Sequence, residues 1–206
     1  LFTLSVRQGD RTAMDVLLAQ IGGPGAVDAF LQAKGVDGVS IDRYQRQIGV
    51  AMFGMPTFRP AWKDEAAFDA ARDQTPAPAR QAAMDAFILD PRDGATVPAA
   101  LGFLAMLANG SLISSASTAK LFSWMADGAG SRLRAGLPSD VRLARVAGAT
   151  PTDLGFTPAV AELGIATFPN GRRYALAAFL AGSTGTEAQR QGLFADAARL
   201  AVKAVA

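Results

Sequence analysis

The apolar positions of this chain keep helical spacing through its first two thirds. In TAMDVLLAQI (12–21), Met14, Leu17, Leu18 and Ile21 fall on one face, Asp10 or Thr12 can cap the start, and GGPG (22–25) ends the run. AVDAFLQAKG (26–35) predicts a second helix closed by Gly35. Residues 36–60 carry Gly, Pro and scattered aromatics and read as loop. Two short amphipathic helices are predicted over 61–74 and 77–89, and DPRDGATVP (90–98) reads as another loop. PAALGFLAMLANG (98–110) is apolar on every face, which predicts a central buried helix, and 117–126 predicts one more.

Further on, the pattern changes to strands, over about 141–149, 159–168 and 173–182. The last two flank PNGR, where Asn170-Gly171 predicts a type I′ hairpin. A final helix is predicted over about 186–205, with Thr184 as cap and Glu187 three residues on. Helices, then a meander, then a helix make an α+β chain. It divides into an all-α lobe (1–125) and an α/β lobe (126–206) with a three-stranded antiparallel sheet.

The 206 residues suffice for a sizeable core, and an apolar half rules against disorder. Twenty basic against eighteen acidic residues leave a net charge of +2 with no basic cluster, so no nucleic-acid partner is expected. No apolar run reaches the length of a membrane span. The chain has no cysteine and no histidine. That excludes disulfides, thiol chemistry, Ser-His-Asp catalysis and imidazole-bound zinc. WKDE (62–65) and DPRD (90–93) lack metal-cage spacing, and GPGAVDAF and GSTGTEAQ depart from the phosphate-loop pattern. Neither a metal nor a cofactor is expected.

Four separated stretches carry a resemblance. They are GDRTAMDVLLAQIGGPGAVDAFL (9–31), IDRYQRQIG (41–49), RDGATVPAALGFLAMLANGSL (92–112) and LFSWMADGAGSRLRAGLP (121–138). In this order they resemble the class A β-lactamases, in which S-D-N-T-A-A-N-L-L runs into I-G-G-P. The Ω-loop of that family then opens on L-D-R-W-E-P-E-L-N. R-D-T-T-T-P-A-A-M precedes a buried helix, and L-x-x-W-M…L-R-x-x-L-P follows. ARVAGA (144–149) stands where the K-T-G strand belongs. The resemblance covers nearly the whole chain and implies the β-lactamase/transpeptidase-like fold.

The resemblance also implies a catalytic cleft, and each of its motifs is altered here. Gly9, Asp10 and Arg11 stand at S-D-N, so the proton-relaying hydroxyl is gone and a guanidinium replaces an amide. Asp10 is expected to be structural. Gln45 stands where the family's general-base glutamate activates water, and a neutral amide takes no proton there. Gly49 replaces the asparagine that helps hold that water. Val146, Ala147 and Gly148 stand at K-T-G, which removes a charge-assisted contact to a substrate carboxylate. Arg43 and Asp93 match the pair that closes the family's Ω-loop and are expected to form a structural ion pair. Ser117 and Lys120 spell S-x-x-K, the family's nucleophile motif. They align, however, with a surface helix and read as a capped solvent helix. The family's own S-x-x-K lies upstream of S-D-N.

Between Arg43 and Asp93 the Ω-type loop, 44–92, exceeds the family norm. Phe58, Trp62, Phe68 and Phe87 give it apolar faces, which either dock on the lobe below or form a lid or partner surface. Three functional readings follow from the resemblance. The first is a pseudoenzyme or binding protein without efficient β-lactam hydrolysis. The second is a serine hydrolase acting on a β-lactam or ester through an upstream S-x-x-K. The third is an ordinary β-lactamase in which Arg11 or Arg145 supplies the lost charge. The family completes its sheet with two N-terminal strands. The expected partner is therefore an N-terminal segment of the same protein, as a second chain or as upstream sequence. Without it the inner face of the first strand and part of the last helix would be uncovered, and residues 1–206 should not fold stably alone. A periplasmic or secreted location is implied by the resemblance only.

Overall fold

A computed structural model of the chain describes residues 1–125 and 130–205. The expected boundary at 125/126, and residues 126–129 of the LFSWMADGAGSRLRAGLP stretch, border on or lie outside the described residues.

Nine α-helices and a three-stranded sheet are present among the described residues. Helix α1 (Phe2–Gln8) was not anticipated, and Gly9 closes it in the left-handed conformation at φ 67°. Asp10 then caps α2 (Arg11–Gln20) by accepting from Ala13 N at 2.6 Å. Helix α3 (Pro24–Ala33) follows with proline in its first turn. Helix α4 (Gln45–Met52) lies within a stretch read as loop. Its start is signalled by Gln47, whose side chain accepts from Tyr44 N at 2.8 Å. The helix predicted over 61–74 is split at Asp64 into a 3-10 turn (Pro60–Lys63) and α5 (Glu65–Asp73). Asp64 caps α5 through Ala67 N at 2.9 Å, which interrupts the chain's helical path there.

Helix α6 (Ala77–Phe87), α7 (Val97–Ala108) and α8 (Ser115–Met125) complete the helical part. Only one stripe of α7 is buried, through Ala100, Leu104 and Leu107, while Val97, Gly102 and Ala105 are exposed. Its all-round apolarity therefore does not translate into all-round burial in this chain.

Strands β1 (Arg142–Ala149), β2 (Thr157–Thr167) and β3 (Arg173–Ser183) form an antiparallel sheet in the order β1-β2-β3, followed by α9 (Glu187–Val205). The register pairs Val146 with Leu163, Gly148 with Ala161, and Ala161 with Phe179. The β2–β3 turn differs from the expected type I′. Gly171 is left-handed at φ 82°, but Asn170 is not among the positive-φ residues. Gly171 N bonds to Phe168 O and Phe168 N to Arg172 O, both at 2.9 Å. That is a type I turn followed by a glycine bulge, which Pro169 favours by presetting φ at the first corner. The cap of α9 also shifts by two residues. Thr186 Oγ1 accepts from Gln189 N at 3.3 Å, and Gln189 Oε1 accepts from Thr186 N at 2.8 Å. This reciprocal pair belongs to a helix that starts at Glu187.

One face of the sheet packs on α9 through Val160, Ala166, Phe194 and Ala198, together with Leu133, Leu137 and Val141. Gly136 lies so close to α9 that a Cβ there would sit 2.0 Å from Ala195 O. A second core joins Val50, Met52, Phe53, Met55 and Met84, and a third joins Leu31, Val36, Leu107 and Leu112. The strand left most open is β3, not β1. β3 has no buried residue and shows Phe179 at 40% exposure, while α9 shows Leu193 at 56% and Leu200 at 66%. The central strand is β2, so β1 is an edge whose Arg145 is nonetheless buried. No helix among the described residues is long and apolar enough to cross a membrane.

Candidate functional site

Of the sequence positions singled out for chemistry, Gly9, Arg11, Gln45, Gly49, Ala147 and Gly148 meet in one cleft. The turn after α1 brings Gly9 to the end of β1, where a Cβ would lie 3.9 Å from Ala147 O. From the first turn of α2, Arg11 Nη2 donates to Ala149 O at 3.0 Å and so spans from helix to strand. Helix α4 forms the facing wall with Gln45, Ile48, Gly49 and Met52. Ala147, Gly148, Thr150 and Pro151 close the strand side, and the open cleft between the walls has a volume of about 360 Å³.

Asp15 holds this arrangement together, although sequence reasoning missed it. Its carboxylate accepts from Gln45 N at 2.6 Å, from Arg46 N at 3.2 Å and from Arg46 Nη1 at 3.1 Å. It thereby fixes the N-terminus of α4 against α2 by satisfying first-turn N–H groups that have no partner within the helix. The available signal was an acidic side chain set between Met14 and Leu18 on the apolar stripe of α2.

Among the described residues lining the cleft, Arg11 carries the one charge. None of these described residues is a carboxylate, and none of their side chains is a base for water at neutral pH. Gln45 Nε2 and Oε1 offer hydrogen bonds only. Phe68 backs Gly49, its Cζ 3.9 Å from where a Cβ would be. An apolar ring thus stands behind the position at which the expected motif would hold water. Asp10 turns its carboxylate to the α2 cap. Val146 precedes the lining residues on β1 and is half-buried.

Arg145 does not supply the lost charge. Strand alternation sends its side chain to the α9 face of the sheet, where it is 8% exposed and its Nε lies 3.9 Å from Glu162. Glu162 is fully buried on that face. It accepts from Ser131 Oγ and from Arg132 N at 2.8 Å, which fixes the 131–133 turn.

Ser117 and Lys120 lie outside the cleft. Ser114 Oγ contacts Ser117 Oγ at 2.9 Å, and Lys120 Nζ lies 5.7 Å from the Trp124 ring centre. Both line a separate trough of about 680 Å³ with Phe2, Leu17 and Ile113.

The long loop is closed at its base by an ionic cluster. Arg43 Nε donates to Asp93 Oδ2 at 2.6 Å, with side chains 10% and 11% exposed, and Arg43 Nη2 lies 3.2 Å from Asp90 Oδ2. Asp93 also accepts from Asp42 N and Arg43 N at 2.8 and 2.9 Å, and holds a left-handed φ of 54°. Hydrogen bonds from Arg92 Nε, Nη2 and N to Asp90, helped by the Arg43 charge, outweigh burial and hold its carboxyl well below the usual carboxylate range.

A family model described as the beta-lactamase enzyme family matches residues 1–205. A beta-lactamase from Chitinophaga pinensis DSM 2588 superposes with a TM-score of 0.75 at 25% identity, over 99% of this chain and 63% of that one. The class A beta-lactamase of the last common ancestor of Gram-negative bacteria gives 0.72 at 26% identity, again over 99% and 63%. The chain therefore spans less than two thirds of the length of these relatives.

Proposed function

The chain belongs to the beta-lactamase enzyme family, and from that premise we propose that its cleft binds a small anionic ligand without efficient β-lactam hydrolysis. The observation that carries this reading is the lining itself. Gly9, Gln45, Gly49 and Gly148 converge on one cavity whose described lining residues include a guanidinium and no carboxylate. Hydrolysis of an acyl-enzyme needs a base to activate water, and the lining offers none. Binding needs shape and charge, and both remain: Arg11 is anchored on Ala149 O and presents its positive charge to the cavity. The ligand class is a small molecule with one anionic group, a β-lactam or an ester among the candidates. Within the protein the chain acts together with an upstream N-terminal segment, and by kinship it is periplasmic or secreted.

A second reading is an active serine hydrolase on a β-lactam or ester, its nucleophile supplied by an upstream S-x-x-K. The support for it is that the cleft walls remain assembled around the Asp15–Gln45 contact. Denaturing intact-mass measurement of the full protein, before and after benzylpenicillin, separates the two. No adduct and no drug consumption is the expected result, with reversible binding seen by calorimetry. Rapid drug consumption would overturn the binding-protein reading. A lasting adduct on the upstream part would mean that acylation survives and only deacylation is lost.

A further inference from the structure

The sheet face turned away from α9 carries a charge arrangement that the cleft does not use. Arg142 on β1 and Arg173 on β3 both pair in register with Thr167 on β2. Side chains so opposed share a face, and strands lie about 4.8 Å apart, so the two arginines flank Thr167 at about 10 Å from each other. Alternation fixes which face this is. Leu143 and Ala166 pack in the α9 core, so their neighbours Arg142 and Thr167 point the other way, and Arg173 with them. The three residues line a hollow of about 900 Å³ together with Ile165, Ser139 and Phe122 of α8. It shares no lining residue with the cleft around Gln45.

The described residues lining this hollow include Arg134, Arg142, Arg145 and Arg173 and no carboxylate. Two of these guanidinium groups are engaged elsewhere. Arg134 donates to the carbonyl oxygens of Val141, Leu137 and Pro138, and Arg145 turns to Glu162 on the α9 face. The side chains of Arg142, Thr167 and Arg173 enter no hydrogen bond, ion pair or ring contact with the described residues. Arg43, Arg72, Arg80 and Arg132, by contrast, each hold a carboxylate within 2.9 Å. Positive charge of one sign on a concave wall focuses the field into the hollow and draws anions there.

We propose that this hollow is a second anion site, which takes the phosphoryl group of a small phosphate ester between Arg142 and Arg173. Each guanidinium presents a planar fork of N–H donors that matches two phosphate oxygens. A phosphoryl group has three terminal oxygens, enough to meet both forks and the Thr167 hydroxyl at once. A single carboxylate fills one fork and leaves the other positive charge unanswered. The volume of about 900 Å³ exceeds what the phosphoryl group needs and lies in the range of small-molecule sites. The organic part of the ester then rests on Phe122 and Ile165, the apolar members of the wall.

The test is titration calorimetry of the full protein at pH 8 and low salt, with inorganic phosphate, glycerol phosphate and acetate as probes. Both phosphates are expected to bind, and acetate about tenfold more weakly. Arg142→Gln and Arg173→Gln should each weaken phosphate binding by about tenfold or more. Both side chains are exposed, so neither change should unfold the chain. Arg172→Gln removes the same charge one residue away, where the guanidinium lies 5.2 Å from the Tyr174 ring centre. It should change the affinity by less than about threefold. An equal loss in all three variants would mean that net charge alone is sensed, and would overturn the site. A loss on Arg11→Gln in place of these would put the phosphate in the cleft and overturn it too. Binding of inorganic phosphate without glycerol phosphate would overturn the ester as ligand. If the full protein binds neither phosphate, the hollow is filled or neutralised by another part of the protein and the proposal fails, with the cleft reading untouched.

Discussion

Gln45 and Gly49 are the residues on which the proposed lack of deacylation turns. Gln45 opens α4, where a carboxylate is favoured by the helix dipole, although Asp15 already places a negative charge 2.6 Å from its N–H. These effects oppose, so Gln45→Glu should change stability by less than about 1 kcal/mol. Asparagine at 49 meets Phe68 only at ordinary contact distance. If an upstream serine acylates, Gln45→Glu with Gly49→Asn should convert a lasting penicillin adduct into turnover, followed by intact mass over time. An adduct that persists unchanged would show that more than the base is missing. Asp90 makes a second prediction. Its carboxyl is depressed by the Arg92 hydrogen bonds first and the Arg43 charge after them. A depressed carboxyl stabilises the fold above its unfolded pKa and loses that effect as pH falls through the folded value. Asp90→Asn should therefore melt below the unmutated protein at pH 7, and the gap should close only in strong acid, well below pH 4. A gap already closed at pH 5 would contradict the assignment.

At the scale of elements, the legible parts were those with strong local signals. The strands, α2, α6 and α9 follow from spacing and breakers, and their ends fall within a few residues of expectation. Helix α4 was hidden because Gly49 and a polar first turn blur its period, and tertiary contacts from Asp15 and Phe68 hold it instead. The hairpin type was misread because Asn-Gly also fits a glycine bulge once proline precedes it. The site positions were legible only through the family resemblance. Periodicity says nothing of Arg80 meeting Asp153, because the partners lie 73 residues apart. Gly136 gives a test of packing between elements. Any Cβ there meets Ala195 O at 2.0 Å and Ala198 Cβ at 2.7 Å, backbone and helix that cannot step aside. Gly136→Ala should cost at least about 3 kcal/mol in denaturant melts, more than usual overpacking. A loss under 1 kcal/mol would mean that α9 slides freely on the sheet.

At the scale of the whole molecule, the described surface carries apolar area that a self-sufficient domain would bury. Phe2 is 54% exposed, Ile21 61%, Leu193 56% and Leu200 66%, and Phe179 stands open on β3. Phe2 and Leu17 line both the trough of about 680 Å³ and a neighbouring one of about 450 Å³, so the exposed area around α1 and α2 is continuous, apart from that on β3 and α9. The free edge of β3 adds unpaired backbone groups to it. Since the chain spans 63% of its relatives' length, we propose that an N-terminal segment covers both regions, pairing with β3 and filling the trough. Residues 1–206 expressed alone should then bind a hydrophobic dye and melt without cooperativity. Adding the upstream sequence, in the same chain or as a separate one, should restore a single sharp transition and remove the dye signal. A cooperative monomeric melt of 1–206 alone would place the missing stabilisation inside the chain. The exposed leucines of α9 would then have to be explained as a contact surface for another molecule.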